Sequence, residues 1–159
     1  MANDATFGGP TFNSDVGFNI DLSDDKQAFT ALFSGLVAII DGKGAVPIVT
    51  RSFSFSLPLS GAKSGSVIPF FVGGFAFTEA GANGHLLFSV NEQTLVVDFP
   101  ENSNDSFLRQ LNYTVGTAAE LRITVFILAD RDSKSDAAVN LTVSSIDTDI
   151  NKHTAPPTS

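Results

Sequence analysis

The chain has 159 residues, 43% of them hydrophobic and only 16% charged, with a net charge of −8 and no cysteine. That length fits one domain with a core that needs no staple. The missing thiols exclude disulfides, thiolate zinc sites and cysteine nucleophiles. An acidic chain with no Lys or Arg from Ser64 through Leu108 repels phosphate backbones, so no nucleic-acid partner is expected. The 15 Phe against one Tyr and no Trp read as core filling, because Phe lacks the polar handle that sugar-binding and membrane-interface rings use.

Residues 1–14, with Gly8, Gly9 and Pro10, read as a flexible arm, and their start, Met-Ala-Asn-Asp-Ala, lacks the basic and apolar regions of a secretory signal. The expectation is therefore a cytoplasmic protein or a mature extracellular domain. Val16 to Leu22 alternates apolar and polar residues, a half-buried strand. Then Phe29, Leu32, Phe33, Leu36, Val37 and Ile40 recur at helical spacing, with Asp24 and Gln27 as a capping box and Asp41-Gly42 as a stop. A helix packed on a sheet is expected there, although Gly35, Val37, Ile39 and Ile40 disfavour it.

From Val46 the period is two. Phe53, Phe55, Leu57 and Leu59 alternate with Ser52, Ser54, Ser56 and Pro58, and the proline belongs near a strand end. Val67 to Thr78 is apolar on both faces, with Gly73-Gly74 marking a bulge or close backbone approach. Asn83-Gly84 reads as a hairpin turn into Leu86 to Val90, and Asn91-Glu92 as the turn into Thr94 to Phe99. Phe107 to Val115 reads either as a strand or as a short helical turn followed by one; Leu121 to Leu128 is a central strand, and Ala138 to Ile146 alternates again. The tail 151–159 reads as disordered.

The expected fold is mainly β. It is a two-sheet antiparallel, jelly-roll-like sandwich of about eight strands in one domain, residues 15–150, with one N-terminal helix packed on it. A closed β-barrel is the alternative.

The densest chemistry is the turn Asp130-Arg131-Asp132-Ser133-Lys134-Ser135-Asp136. Asp130, Asp132 and Asp136 are candidate oxygen ligands for Ca²⁺, although the EF-hand spacing is absent and Arg131 and Lys134 oppose a cation. Asp147 and Asp149, or Asp21, Asp24 and Asp25, contribute only where folding gathers them. No other cofactor is implied. His85 is expected to face solvent and His153 to lie in the tail. No nucleophile elbow, phosphate loop or paired-carboxylate signature stands out, so no catalytic residue is assigned.

The leading expectation is a non-catalytic interaction or structural module, binding a protein partner or itself through sheet faces or edges. The first alternative is a small-ligand binder, with an apolar Phe-lined cavity or Ca²⁺-assisted carbohydrate binding. An enzyme comes last, with a membrane-inserting sandwich, because Arg51 to Thr78 shares the low-charge alternation of membrane β-hairpins. No stretch is long enough for a stable helical membrane span.

Overall fold

The computed structural model describes residues 5–12, 17–41 and 46–150. These form twelve strands and no helix: β1 (Thr6–Phe7), β2 (Thr11–Phe12), β3 (Gly17–Leu22), β4 (Ala28–Ser34), β5 (Val37–Ile40), β6 (Ile48–Ser60), β7 (Val67–Thr78), β8 (Ala82–Val90), β9 (Gln93–Phe99), β10 (Asn104–Thr114), β11 (Glu120–Arg131) and β12 (Val139–Asp149). The period-two segments account for eight of these. The other four are β1 and β2, which pair with β6, and β4 and β5, which replace the expected helix. The 151–159 tail, His153 and residues 1–4 and 13–14 of the arm lie outside the described residues.

The strands make two antiparallel sheets. One runs β1-β6-β11-β8-β9, with β2 also on β6; the other runs β10-β7-β12-β4-β3, with β5 also on β12. Two separate sheets pack face to face in place of the alternative closed barrel. β11 sits between β6 and β8, so its apolar run is central as expected. β6 and β7 lie in opposite sheets and do not pair, so Arg51 to Thr78 forms no hairpin.

The core is the set of inward positions. Phe53, Phe55 and Leu57 of β6 and Leu121, Ile123, Val125 and Ile127 of β11 face Phe70 and Val72 of β7 and Leu141 and Val143 of β12, all buried. Phenylalanines bridge the layers: Phe18 lies 4.8 Å from Phe53 and 4.9 Å from Phe55 between ring centroids, and Phe29 lies 5.1 Å from Phe7. Fully burying one such ring contributes about 1.5–3 kcal/mol. The rings that face inward thus fill the core with no helix needed to cover it.

The missing helix has a definite cause. In β4 the inward side chains are at odd positions, Phe29, Ala31 and Phe33; past Gly35 they are at even positions, Leu36, Ala38 and Ile40. Gly35 takes φ +91°, a left-handed conformation that favours glycine, and this shifts the alternation by one residue. Phe29, Phe33, Leu36 and Ile40 then fall at helical spacing although Phe29 and Phe33 are in β4, Ile40 is in β5 and Leu36 lies in the break between them. The supposed capping box is a β3–β4 turn. There the Ser23 hydroxyl donates to Asp25 (2.6 Å) and accepts from the Ala28 amide (3.0 Å), with Lys26 at φ 61°.

A second irregularity lies beside it. The β12–β7 register slips between Val143 and Ser145, opposite Gly74 and Gly73. A Cβ on Gly74 would stand 1.9 Å from the Thr142 carbonyl oxygen, so the glycine pair marks a close backbone approach, as the sequence indicates. The Asn83-Gly84 signal is misleading: both residues are inside β8, and the turn before it runs through Glu79 to Gly81, where Gly81 has φ +92°. Asn91 does form the β8–β9 turn, with φ 54°.

Candidate functional site

The outer face of the β10-β7-β12-β4-β3 sheet carries a trough of about 570 Å³ near the β3–β4 turn. Alternation puts its residues there: where Phe29, Thr148 and Phe70 point inward, their neighbours Thr30, Asp147 and Phe71 point out. Strand register aligns them in one row, Asp21 opposite Thr30, Thr30 opposite Asp147, and Asp147 opposite Phe71. The Thr30 hydroxyl donates to Asp147 Oδ1 at 2.7 Å and so fixes that carboxylate. Asp149 lines the same trough, and Leu108 of β10 borders it with 44% of its surface exposed. Gly73 lies between Leu108 and Ser145 and leaves a dip there, since an added Cβ would meet them at 3.4 and 3.2 Å.

Chemically the trough combines an apolar floor, Phe71 and Leu108, with a border of acceptors from Asp21, Asp147 and Asp149 and the Thr30 hydroxyl. At its turn end, the Ser23 hydroxyl and the Gln27 amide both donate to Asp25 and hold its carboxyl below the usual range. Folding has gathered Asp21, Asp147 and Asp149 from β3 and β12, a grouping that sequence distance conceals. The apolar outer face of β7 was the visible signal. Phe71 and Phe75 face outward there, and Phe75 is 38% exposed.

A second cluster lies on the opposite face of the sandwich. His85 of β8 is half-buried between carboxylates from both neighbouring strands, its Nδ1 2.8 Å from Asp98 Oδ1 on β9 and its Nε2 3.1 Å from Asp130 Oδ2 on β11. Both ring nitrogens can donate at once only in the protonated form, and the hydrogen bond to Asp98, with that to Asp130, raises the His85 pKa above its ordinary value against a smaller effect of burial. The histidine expected to face solvent does lie on the outer face of its sheet, half-buried and tied to both neighbouring strands. Its partners are 13 and 45 residues away, beyond the reach of a local motif.

The three candidate Ca²⁺ ligands occupy separate settings. Asp130, next to last in β11, faces His85, with Asn83 Nδ2 at 3.4 Å. Asp132 accepts from the Lys134 amide at 3.1 Å within the following turn. Asp136 borders a depression shared with Glu79 and Ser103. Among the described residues, no three His, Asp or Glu side chains are gathered where they could hold a metal ion. No helix of the described residues is long and apolar enough to cross a membrane.

No protein-family model matches the chain, and no curated protein matches it. Among solved structures it is similar to TmCBM61 in complex with β-1,4-galactotriose, at 11% identity over 91% of this chain and 90% of that one, with a TM-score of 0.32. It is also similar to the CBM22-1 xylan-binding domain from Paenibacillus barcinonensis (15% identity, 88% and 85% covered, TM-score 0.32). A third is an exo-β-1,3-galactanase from Phanerochaete chrysosporium bound to galactose (19% identity, 85% and 30% covered, TM-score 0.31). At these scores and identities the likenesses carry no argument about this chain's ligand.

Proposed function

We propose that this domain is a non-catalytic binding module that takes a carbohydrate on the outer face of the β10-β7-β12-β4-β3 sheet. The carrying observation is the trough, where the Phe71 and Leu108 surfaces adjoin the carboxylates of Asp21 and Asp147 and the hydroxyl of Thr30. A sugar ring presents the same two textures, a C–H face that packs on apolar carbon and a rim of hydroxyls that donate to carboxylates. The scarcity of Trp and Tyr is met by outward-facing phenylalanine. Strands β5 to β12 support the reading of a jelly roll, since the orders β5-β12-β7-β10 and β6-β11-β8-β9 interleave two Greek keys.

An open trough with a handful of hydrogen bonds, each contributing about 1 kcal/mol net, binds weakly, in the high-micromolar to millimolar range. Affinity electrophoresis in gels cast with a panel of soluble polysaccharides tests this. At least one is expected to retard the chain, and Phe71→Ala is expected to abolish that retardation. Equal mobility in every gel, for the unaltered chain, would refute the proposal.

Self-association is the second reading, favoured by Leu87 and Val96, which stand opposite each other on β8 and β9 of the other face at 37% and 58% exposure. Sedimentation of a monomer at all concentrations would dismiss it.

A further inference from the structure

The geometry points to β10 as a dimerisation edge, on which a second copy of this chain adds its own β10 antiparallel, with Phe107 opposite the partner's Phe107. This edge is separate from the Leu87 and Val96 face, and association through it needs no ligand.

Four strands end the two sheets, and β10 is the long one: it has 11 residues, where β1, β3 and β9 have 2, 6 and 7. It pairs with β7 without a break in register and contains no proline, lysine or bulge, the usual devices that keep an edge from pairing. Which of its backbone groups are open follows from the bonds at its two ends. The Ser103 carbonyl accepts from the Thr78 amide (2.9 Å) and the Val115 amide donates to the Ser66 carbonyl (2.8 Å), so odd positions bond towards β7. At Thr114, by contrast, the N–H and C=O are both taken by the Gln93 side chain of β9, at 2.9 and 2.8 Å, on the side away from β7. Antiparallel ladders alternate, so Asn104, Ser106, Leu108, Gln110 and Asn112 present N–H and C=O to the open edge. The Leu108 carbonyl there accepts from Arg109's own Nη1 at 3.3 Å.

Charge fixes the register. Asp105 and Arg109 lie on one face of β10, opposite the uncharged Ala76 and Val72 of β7. Both are exposed, and among the described residues neither is in an ion pair. Two antiparallel copies related by a two-fold axis must set residues of like parity opposite each other, or their side chains would point to different faces. Centring on Phe107 places Asp105 opposite the partner's Arg109, and by symmetry Arg109 opposite the partner's Asp105. Centring on Asp105 or Arg109 sets like charges face to face, and centring on Ser106 or Leu108 leaves both charges unmatched.

In the Phe107 register Asp105 and the partner's Arg109 form a non-hydrogen-bonded pair, with Cα atoms about 4.5 Å apart and side chains at their closest. Ser106 and the partner's Leu108 exchange both backbone bonds, as do Asn104 and the partner's Gln110. Gln110 Oε1 is buried without a hydrogen-bond partner, and the partner's Asn104 amide opposite it is the kind of donor it lacks.

Sedimentation velocity of the full chain from about 1 μM to about 1 mM, in about 0.05 M salt, should show a monomer–dimer equilibrium. Asp105→Arg and Arg109→Asp each replace both attractions with repulsions, and each alone should weaken the dimer about tenfold or more. Mixing the two variants restores both pairs in a heterodimer, so the equimolar mixture should associate about as tightly as the unaltered chain. Both positions are exposed, and unchanged unfolding midpoints would show that the variants are folded. Amide exchange gives a readout that needs no substitution. Raising the concentration should slow Ser106, Leu108 and Gln110 and leave Arg109 and Leu111, already bonded to β7, as they were.

A monomer at every concentration overturns the proposal. So does a dimer that both variants form as tightly as the unaltered chain, or one in which Ser106, Leu108 and Gln110 exchange as in the monomer. Failure of the mixture to associate overturns the register. A dimer lost on Leu87→Ser but kept in both charge variants assigns association to the other face and overturns the edge.

Discussion

Gly74→Ala offers the sharpest test of how the binding face is built. The new Cβ would lie 1.9 Å from the Thr142 carbonyl oxygen and 2.8 Å from Cζ of Phe107, where contacts under 3.0 Å are essentially never found. Thr142 and its neighbours would have to retreat by about 1 Å from β7, and strands sit about 4.8 Å apart. An opening of that size stretches an N–H···O bond of about 2.9 Å past its useful range. Losing one or two ladder bonds costs about 1–3 kcal/mol, and displacing Phe107 within a packed core costs about 1–3 kcal/mol more. The expected destabilisation is therefore about 2–6 kcal/mol, read as a lower midpoint in guanidinium unfolding at unchanged slope. Gly73→Ala is the control, because its nearest contacts are a movable Ser145 hydroxyl at 3.2 Å and a Leu108 methyl at 3.4 Å. It should shift stability by under about 1 kcal/mol. A Gly74→Ala midpoint within about 0.5 kcal/mol of the parent would refute the reasoning, as would equal losses at both glycines.

Three further outcomes follow from the same coordinates. His85 has a raised pKa, so its bonds to Asp98 and Asp130 stabilise the fold fully below the unfolded histidine value and lose that effect as pH rises through the folded value. Because Asp98 is 72% exposed the gain is under about 1 kcal/mol; unfolding midpoints should fall modestly from acid to alkaline pH, and a His85→Gln chain should lack that slope. Asn91→Ala removes donors to the Tyr113 hydroxyl (2.9 Å) and the Glu120 carbonyl and the acceptor for the Arg122 amide (2.8 Å), at a left-handed turn position. A loss of about 2–3 kcal/mol by chemical unfolding is expected, and a neutral result would show that water replaces all three bonds. If Ca²⁺ is held by Asp130, Asp132 and Asp136, it must draw Asp130 away from His85 and return the His85 titration towards its ordinary value. A histidine titration curve unchanged by millimolar Ca²⁺ would dismiss that proposal.

What the sequence disclosed and what it hid divide along one physical line, the range of the interaction. The apolar character of a strand is local, so β7 was legible at its full Val67–Thr78 extent and the central place of β11 followed from its apolar run. Gly35 is local too, but its effect is a shift of phase, and a strand that slips by one residue writes Phe29, Phe33, Leu36 and Ile40 at the spacing of a helix. The β-branched Val37, Ile39 and Ile40 beside a glycine were the signal that favoured strands, because a helix interior accommodates both poorly. The trough is a different case. Asp21 and Asp147 stand in one row only because β3 and β12 both pair with β4, and no spacing along the chain encodes that. The same holds for His85, which borrows carboxylates from two other strands. What was legible at the site was its floor: β7 is apolar outward as well as inward, and a sheet face left open to solvent has no packing reason for Phe71 and Phe75. Those outward rings are the residues from which a binding face is first to be suspected, and Phe71 is the one whose removal separates a ligand platform from surplus hydrophobicity.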